Sequence, residues 1–229
     1  MKPTAANLTR WAGFSAIAAG IIFTVMGLIH PPAVLLSVAT PGWALVHLLA
    51  IVMSCLGLFG MMGLYARQAE ESGWLGLAGF LLFSLWLVIV TGFTFVEVYV
   101  LPLLISAAPL FVEGFLGMFT GYASALDMGA LPTLWMVTGL LYMVGALLFG
   151  IGTFRAGILS RWAAGLFGLG AIVSPLFALL PHELEPLAAV PVGVGLAWLG
   201  YSLVMEGRAQ AAQPLARQSA PQLTQRTAK

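Results

Sequence analysis

Six stretches of this chain are long and apolar enough to cross a bilayer: residues 11–29, 43–66, 74–101, 132–154, 162–181 and 185–205. A spanning helix needs about 20 residues, because the hydrocarbon core is about 30 Å thick. Together the six stretches hold two acids, Glu97 and Glu185, and no lysine or arginine. In hydrocarbon every backbone N–H and C=O must be satisfied internally, so each stretch is predicted to be an α-helix. The expected fold is all-α, a polytopic membrane bundle of six transmembrane helices forming one domain over residues 1–206.

Composition agrees. Only 7% of the 229 residues are charged and 61% are hydrophobic, whereas a soluble domain carries about 25% charged residues. The expected partner is therefore the lipid bilayer, and a net charge of +1 gives no reason to expect nucleic acid. A single cysteine, Cys55, excludes an intramolecular disulfide and any CxxC motif. Two basic residues precede the first apolar run, as in a signal peptide. That run is long enough to span and lacks a small-x-small cleavage site before His30, so it reads as a retained helix. The polar residues 207–229, rich in Gln, Ala and Arg, are expected to form a disordered tail.

The basic residues set the orientation. Lys2 and Arg10 precede the first span, Arg67 follows the second, Arg155 and Arg161 bracket the link after the fourth, and Arg208, Arg217, Arg226 and Lys229 lie in the tail. All nine fall on one side of a six-span arrangement, which predicts both termini in the cytoplasm. Trp11, Trp74 and Trp162 open the outward-going helices, and Trp43 and Trp135 the inward-going ones, as an aromatic belt would. Trp86 and Trp198 fall outside this belt and are expected between helices. "LTRWAGFSAIAAGII" (8–22) and "LSRWAAGLFGLGAIV" (159–173) form a faint same-orientation repeat. It reads either as a shared interface pattern or as a duplicated hairpin. Small residues spaced by four, such as Ala16 with Gly20 and Gly193 with Ala197, mark faces where helices can approach closely. Pro175 and Pro191 are expected to kink the last two helices.

Against this frame the ionisable residues sort by side. Glu70, Glu71 and Glu206 are cytoplasmic and solvated. Glu97, Glu113, Asp127, Glu183 and Glu185 lie at or beyond the outer boundary, as do all three histidines, His30, His47 and His182. Glu97 follows Trp74 by 23 residues, about 35 Å along a helix, which puts it near the outer boundary. His47 lies about 6 Å inside the same boundary on the preceding helix. Two readings stand for the pair. Glu97 is a solvated interface carboxylate and His47 bonds a backbone carbonyl or Ser54. Alternatively, His47 and Glu97, with His30 or His182, line an outward-facing polar pocket. The connection 102–131 is long for a helical bundle, and within it "PLFVEGFLGMF" (109–119) has the pattern of a short amphipathic helix, with Glu113 and Asp127 at its polar edge. It is either a lid over the pocket or an interfacial helix.

Several chemistries are excluded. Lysine occurs only at positions 2 and 229, so no span offers a Schiff base. Three isolated histidines cannot build diiron desaturase boxes, and neither HExxH nor GxSxG occurs. A haem would need two imidazoles at one depth on facing helices, for which His47 with His30 is the one combination considered. No motif assigns a metal or a cofactor.

At "ATPGWALVHLLAI", "GLYARQAEESGWLGLAGFLL", "FVEVYVLPLL" and "FRAGILSRWAAG" the chain resembles a group of small bacterial multi-pass membrane proteins with no established activity. The resemblance covers most of the apolar part and implies a location in the bacterial plasma membrane. It carries over no catalytic residue. Three functions remain: a non-enzymatic membrane protein binding a small ligand or partner at its outer face, a metal or haem protein or enzyme using His47 and Glu97, and a transport component.

Overall fold

The structure, a computed structural model, describes the backbone of residues 4–179 and 187–226 and the side chains of residues 4–176 and 187–208. Among the described residues every regular element is helical. The elements are α1 (Ala5–Ile29), α2 (Leu35–Val38), α3 (Pro41–Phe95), a π-helical turn (Val96–Val100), α4 (Leu101–Leu104), α5 (Pro109–Thr120), α6 (Leu131–Ala156), α7 (Arg161–Val173) and α8 (Ala189–Arg226). Four helices are long and apolar enough to cross a membrane: α1, the 64-residue run Pro41–Leu104, α6 and the first part of α8.

The longest of these is folded back on itself. Gln68 (φ −132°, ψ 20°) and Gly73 (φ 57°, ψ −154°) leave the helical region, and the second conformation is open essentially only to glycine. Residues 69–72, predicted as part of a link, keep a helical turn between the two breaks. The arms on either side, residues 41–67 and 74–95, lie side by side. The Tyr65 and Phe80 rings stack at 4.8 Å, and the Trp43 indole reaches the Glu97 carbonyl at 2.8 Å. In one straight helix those last two residues would stand about 80 Å apart.

The two arms and four further helices close a ring. The first arm packs on α1, α1 on α8, α8 on α7, α7 on α6, and α6 on the second arm. Small residues permit the closest approaches. A methyl group on Gly60 would stand 2.8 Å from the Ala16 Cα, and one on Gly152 would stand 2.7 Å from the Gly76 nitrogen. Backbones this close gain dispersion contact where lipid supplies no hydrophobic drive between helices. The middle of the ring is filled by Phe83, Phe149 and Phe167, whose rings meet at 5.0 and 6.2 Å.

Several expectations need correction. Trp43 is fully buried rather than part of a belt, because its N–H has a partner inside the bundle. Trp198, expected between helices, is 42% exposed. Glu206 is not simply solvated: both its oxygens accept from the Arg67 guanidinium, tying the hairpin turn to α8. That carboxylate raises the pKa of Arg67, more than offsetting the opposing effect of burial. α7 stops at Val173 and tightens into a 3₁₀ turn over Ser174–Leu179, since Pro175 has no N–H to continue the ladder. Pro191 sits in the first turn of α8, where a missing N–H costs no bond, so it makes no kink within the helix. The helical backbone of α8 runs on through residues 207–226.

Candidate functional site

The site forms where the open ends of the two arms meet. Thr40 accepts a hydrogen bond from the Trp43 N–H at 3.2 Å and Pro41 opens the helix, so the first arm starts with a fixed cap. This puts Trp43 in the first turn and His47 one turn further along. On the opposite arm the helix widens by one residue at Val96–Val100, where the Leu101 N–H bonds the Val96 carbonyl. The Glu97 carbonyl would then look to residue 102, which is a proline without an N–H. The Trp43 indole donates to that orphaned carbonyl at 2.8 Å, so one tryptophan repairs the π turn and locks the two arms in register.

The same turn aims the Glu97 side chain at His47. His47 Nδ1 donates to the Trp43 carbonyl at 2.7 Å, because a carbonyl can only accept. That fixes the other ring nitrogen toward Glu97. Nε2 stands 3.4 Å from Glu97 Oε2, longer than the about 2.7–2.9 Å of a charge-assisted hydrogen bond. It is buried and has no hydrogen-bond partner among the described residues. The two side chains are 3% and 11% exposed. Neither is a solvated interface residue.

Beside the pair lies a cavity of about 230 Å³. Glu97 and His47 line one end, and Trp86 and Met53 the other. Eleven residues separate Glu97 from Trp86, about 16 Å along the helix. Phe23, Phe93, Phe119 and Trp135 complete an aromatic wall, in which Trp135 meets Phe93 at 5.4 Å and Phe119 at 4.6 Å. The volume exceeds the roughly 150 Å³ that accepts one benzene and falls short of drug-sized pockets, which start at about 300 Å³.

His30, just past α1, stands at the exposed edge of the cavity. Its ring packs edge-to-face on His47 at 5.2 Å, and its Nδ1 donates to the Pro31 carbonyl at 2.8 Å. Partial burial of the ring, and then the neighbouring imidazole of His47, lower its pKa below the ordinary value of 6.5. An axial pair on one haem would need the haem plane between the two imidazoles, and these two rings meet edge to face. Among the described residues no three His, Cys, Asp or Glu are grouped to hold a metal.

The other sequence candidates lie elsewhere. Glu113 is exposed on α5 and lines a second cavity of about 370 Å³ with Leu35, Tyr122 and Ser124. Asp127 is exposed and accepts from the Gly129 N–H at 2.8 Å, which fixes a turn. His182 lies outside the described residues. α5 itself caps the Glu97 end of the bundle: Val112, Phe115 and Leu116 pack on Trp43, Phe93 and Leu101, while Phe119 reaches the 230 Å³ cavity. Sequence reading missed the aromatic wall and Trp43. It also placed Gln68 and Ser72 in a link, whereas both are buried at the opposite end, where the Gln68 amide donates to Thr153 at 2.7 Å.

Comparison with protein-family models, curated proteins and solved structures finds no match for this chain.

Proposed function

We propose that this chain is a six-span protein of the bacterial plasma membrane, with both termini cytoplasmic, that binds a small apolar ligand bearing one polar group in the cavity beside His47 and Glu97. Supporting the span count, each arm of the hairpin is at least 22 residues long, about 33 Å or more, enough for a separate crossing. Supporting the orientation, the basic residues fall on alternate links. The observation that carries the ligand reading is the buried His47 Nε2. It faces a carboxylate at 3.4 Å, within ion-pair range but without a hydrogen bond, on the wall of an otherwise apolar cavity. A buried polar group without a partner costs about 1–3 kcal/mol, and a ligand that supplies the partner recovers it.

A transport reading would need the polar lining to continue, and beyond Met53 and Trp86 the bundle is filled by Met61, Leu64 and Phe83. The test is a binding titration in nanodiscs with 2-phenylethanol, one apolar ring bearing one hydroxyl that can partner His47 Nε2. Saturation near one molecule per chain is expected. Uptake that only follows the amount of lipid would refute the reading.

A further inference from the structure

The ligand reading leaves the class of ligand open, and the walls of the cavity narrow it. Among the described residues its titratable lining is His30 after α1, His47 on the first arm of α3 and Glu97 on the π turn; α5 contributes Phe119 and α6 Trp135. No lysine or arginine among the described residues lines it. A carboxylate in such surroundings cannot stand as an isolated charge, because desolvation without a counter-charge is prohibitive. The balancing group within reach is His47 Nε2 at 3.4 Å. A proton carried on Nε2 makes the pair an imidazolium beside a carboxylate, with no net charge. Take that proton away, and a different cation must replace it. The rest of the wall suits one, since Phe23, Trp86, Phe93, Phe119 and Trp135 offer the negative faces of aromatic rings.

Resting on the ligand-binding reading, we infer that the site takes a lipophilic organic monocation, one ring plus a substituted ammonium in size, in exchange for one proton of the His47–Glu97 pair. On binding, the N–H bond at His47 Nε2 breaks and the proton leaves to water past His30. The ammonium then lies on the Glu97 carboxylate, so the net charge of the site is zero before and after. Acid opposes binding twice, by returning the proton to the pair and by charging His30 at the mouth. A neutral ligand of the same shape exchanges no proton.

The experiment is calorimetry on the full chain in nanodiscs with benzyltrimethylammonium and its uncharged isostere neopentylbenzene. It is run at several pH values and in two buffers of different ionisation enthalpy. The cation is expected to bind at least about tenfold more tightly than the isostere. It should release close to one proton per site and weaken by up to about tenfold for each pH unit of acidification while the pair holds its proton. Glu97→Gln should weaken the cation at least about tenfold, with an unchanged helical circular dichroism spectrum reporting that the variant is folded. Buffer-independent heats in the wild type, which need no variant, would overturn the exchange. Equal affinity for the two compounds would overturn the cation class while leaving the ligand reading in place. Binding of neither would remove both.

Discussion

The two ends of the α3 hairpin solve the same problem in opposite ways. Each buries polar groups between helices. At the Arg67 end space is closed: Arg67 grips both oxygens of Glu206, the Gln68 amide donates to Thr153, and methyl-sized space is absent between Gly152 and Gly76, although Gln68 Oε1 and Ser72 Oγ are buried without a hydrogen-bond partner among the described residues. At the Glu97 end the scaffold is equally firm, with the Trp43 indole bonded to the Glu97 carbonyl. The side chains it presents, however, stop short of one another beside a cavity of about 230 Å³. A bundle able to close one end so tightly has left the other open. Among the described residues both ends hold a buried polar atom without a partner, and the difference is that only at the Glu97 end does it stand beside space a ligand could fill.

The sharpest test of this contrast adds the same bulk at both ends. Gly152→Leu, placed against the Gly76 backbone, is expected to cost about 3 kcal/mol or more in unfolding free energy. Ala50→Leu, beside the cavity, should cost less than about 1 kcal/mol, because space exists to receive it. Equal losses in a denaturation series would erase the distinction. Next in size, Trp43→Phe deprives the Glu97 carbonyl of its donor and should destabilise by about 1–3 kcal/mol. It should also loosen hydrogen-exchange protection on residues 96–101, and unchanged protection there would show that the indole does not hold the π turn.

Smaller still, Glu206→Gln should lower stability by less than about 1 kcal/mol, since that pair is partly exposed, and the loss should shrink as salt is added. A salt-independent loss would mean the pair acts through something other than charge. The smallest effect concerns His30. Its pKa is held below 6.5 in the folded chain, so between the folded value and 6.5 the unfolded chain binds more protons. Stability should therefore fall as pH drops through that window and recover as it rises. His30→Asn should flatten this part of the stability–pH curve, and an unaltered curve would assign the acid sensitivity elsewhere.

Much of the helical layout is legible in the sequence, for a physical reason. Long uncharged runs such as 132–154 have few alternatives to helix in lipid, and the "RQAEESG" link supplies the glycine at which the hairpin breaks. Helix rotation is harder to read, because in a bilayer both the buried and the lipid-facing sides are apolar and the helical period carries little contrast. This is why Trp43, which fits an interface belt equally well, could not be read as buried.

Two signals for the site were nevertheless present. Buried positions on the second arm repeat at sevens, Gly76 with Phe83 and Gly79 with Trp86 and Phe93, and the first series continues to Glu97. Pro102, five residues beyond Glu97, marks the missing N–H that the Trp43 indole replaces. Glu113 and Asp127 carried no such signal, and they lie apart from the pair.

The most direct test of the account compares 2-phenylethanol titrations of the wild type and of Ala50→Phe, followed by tryptophan fluorescence in nanodiscs. Ala50 lines the cavity about one turn from His47, so phenylalanine there occupies the volume the ligand needs. Saturable quenching near one ligand per chain in the wild type, absent from the filled variant, is the predicted result. Identical, non-saturating curves for the two proteins would mean that the ligand merely partitions into lipid, and would contradict the claim that the Glu97 end of the bundle is a binding site.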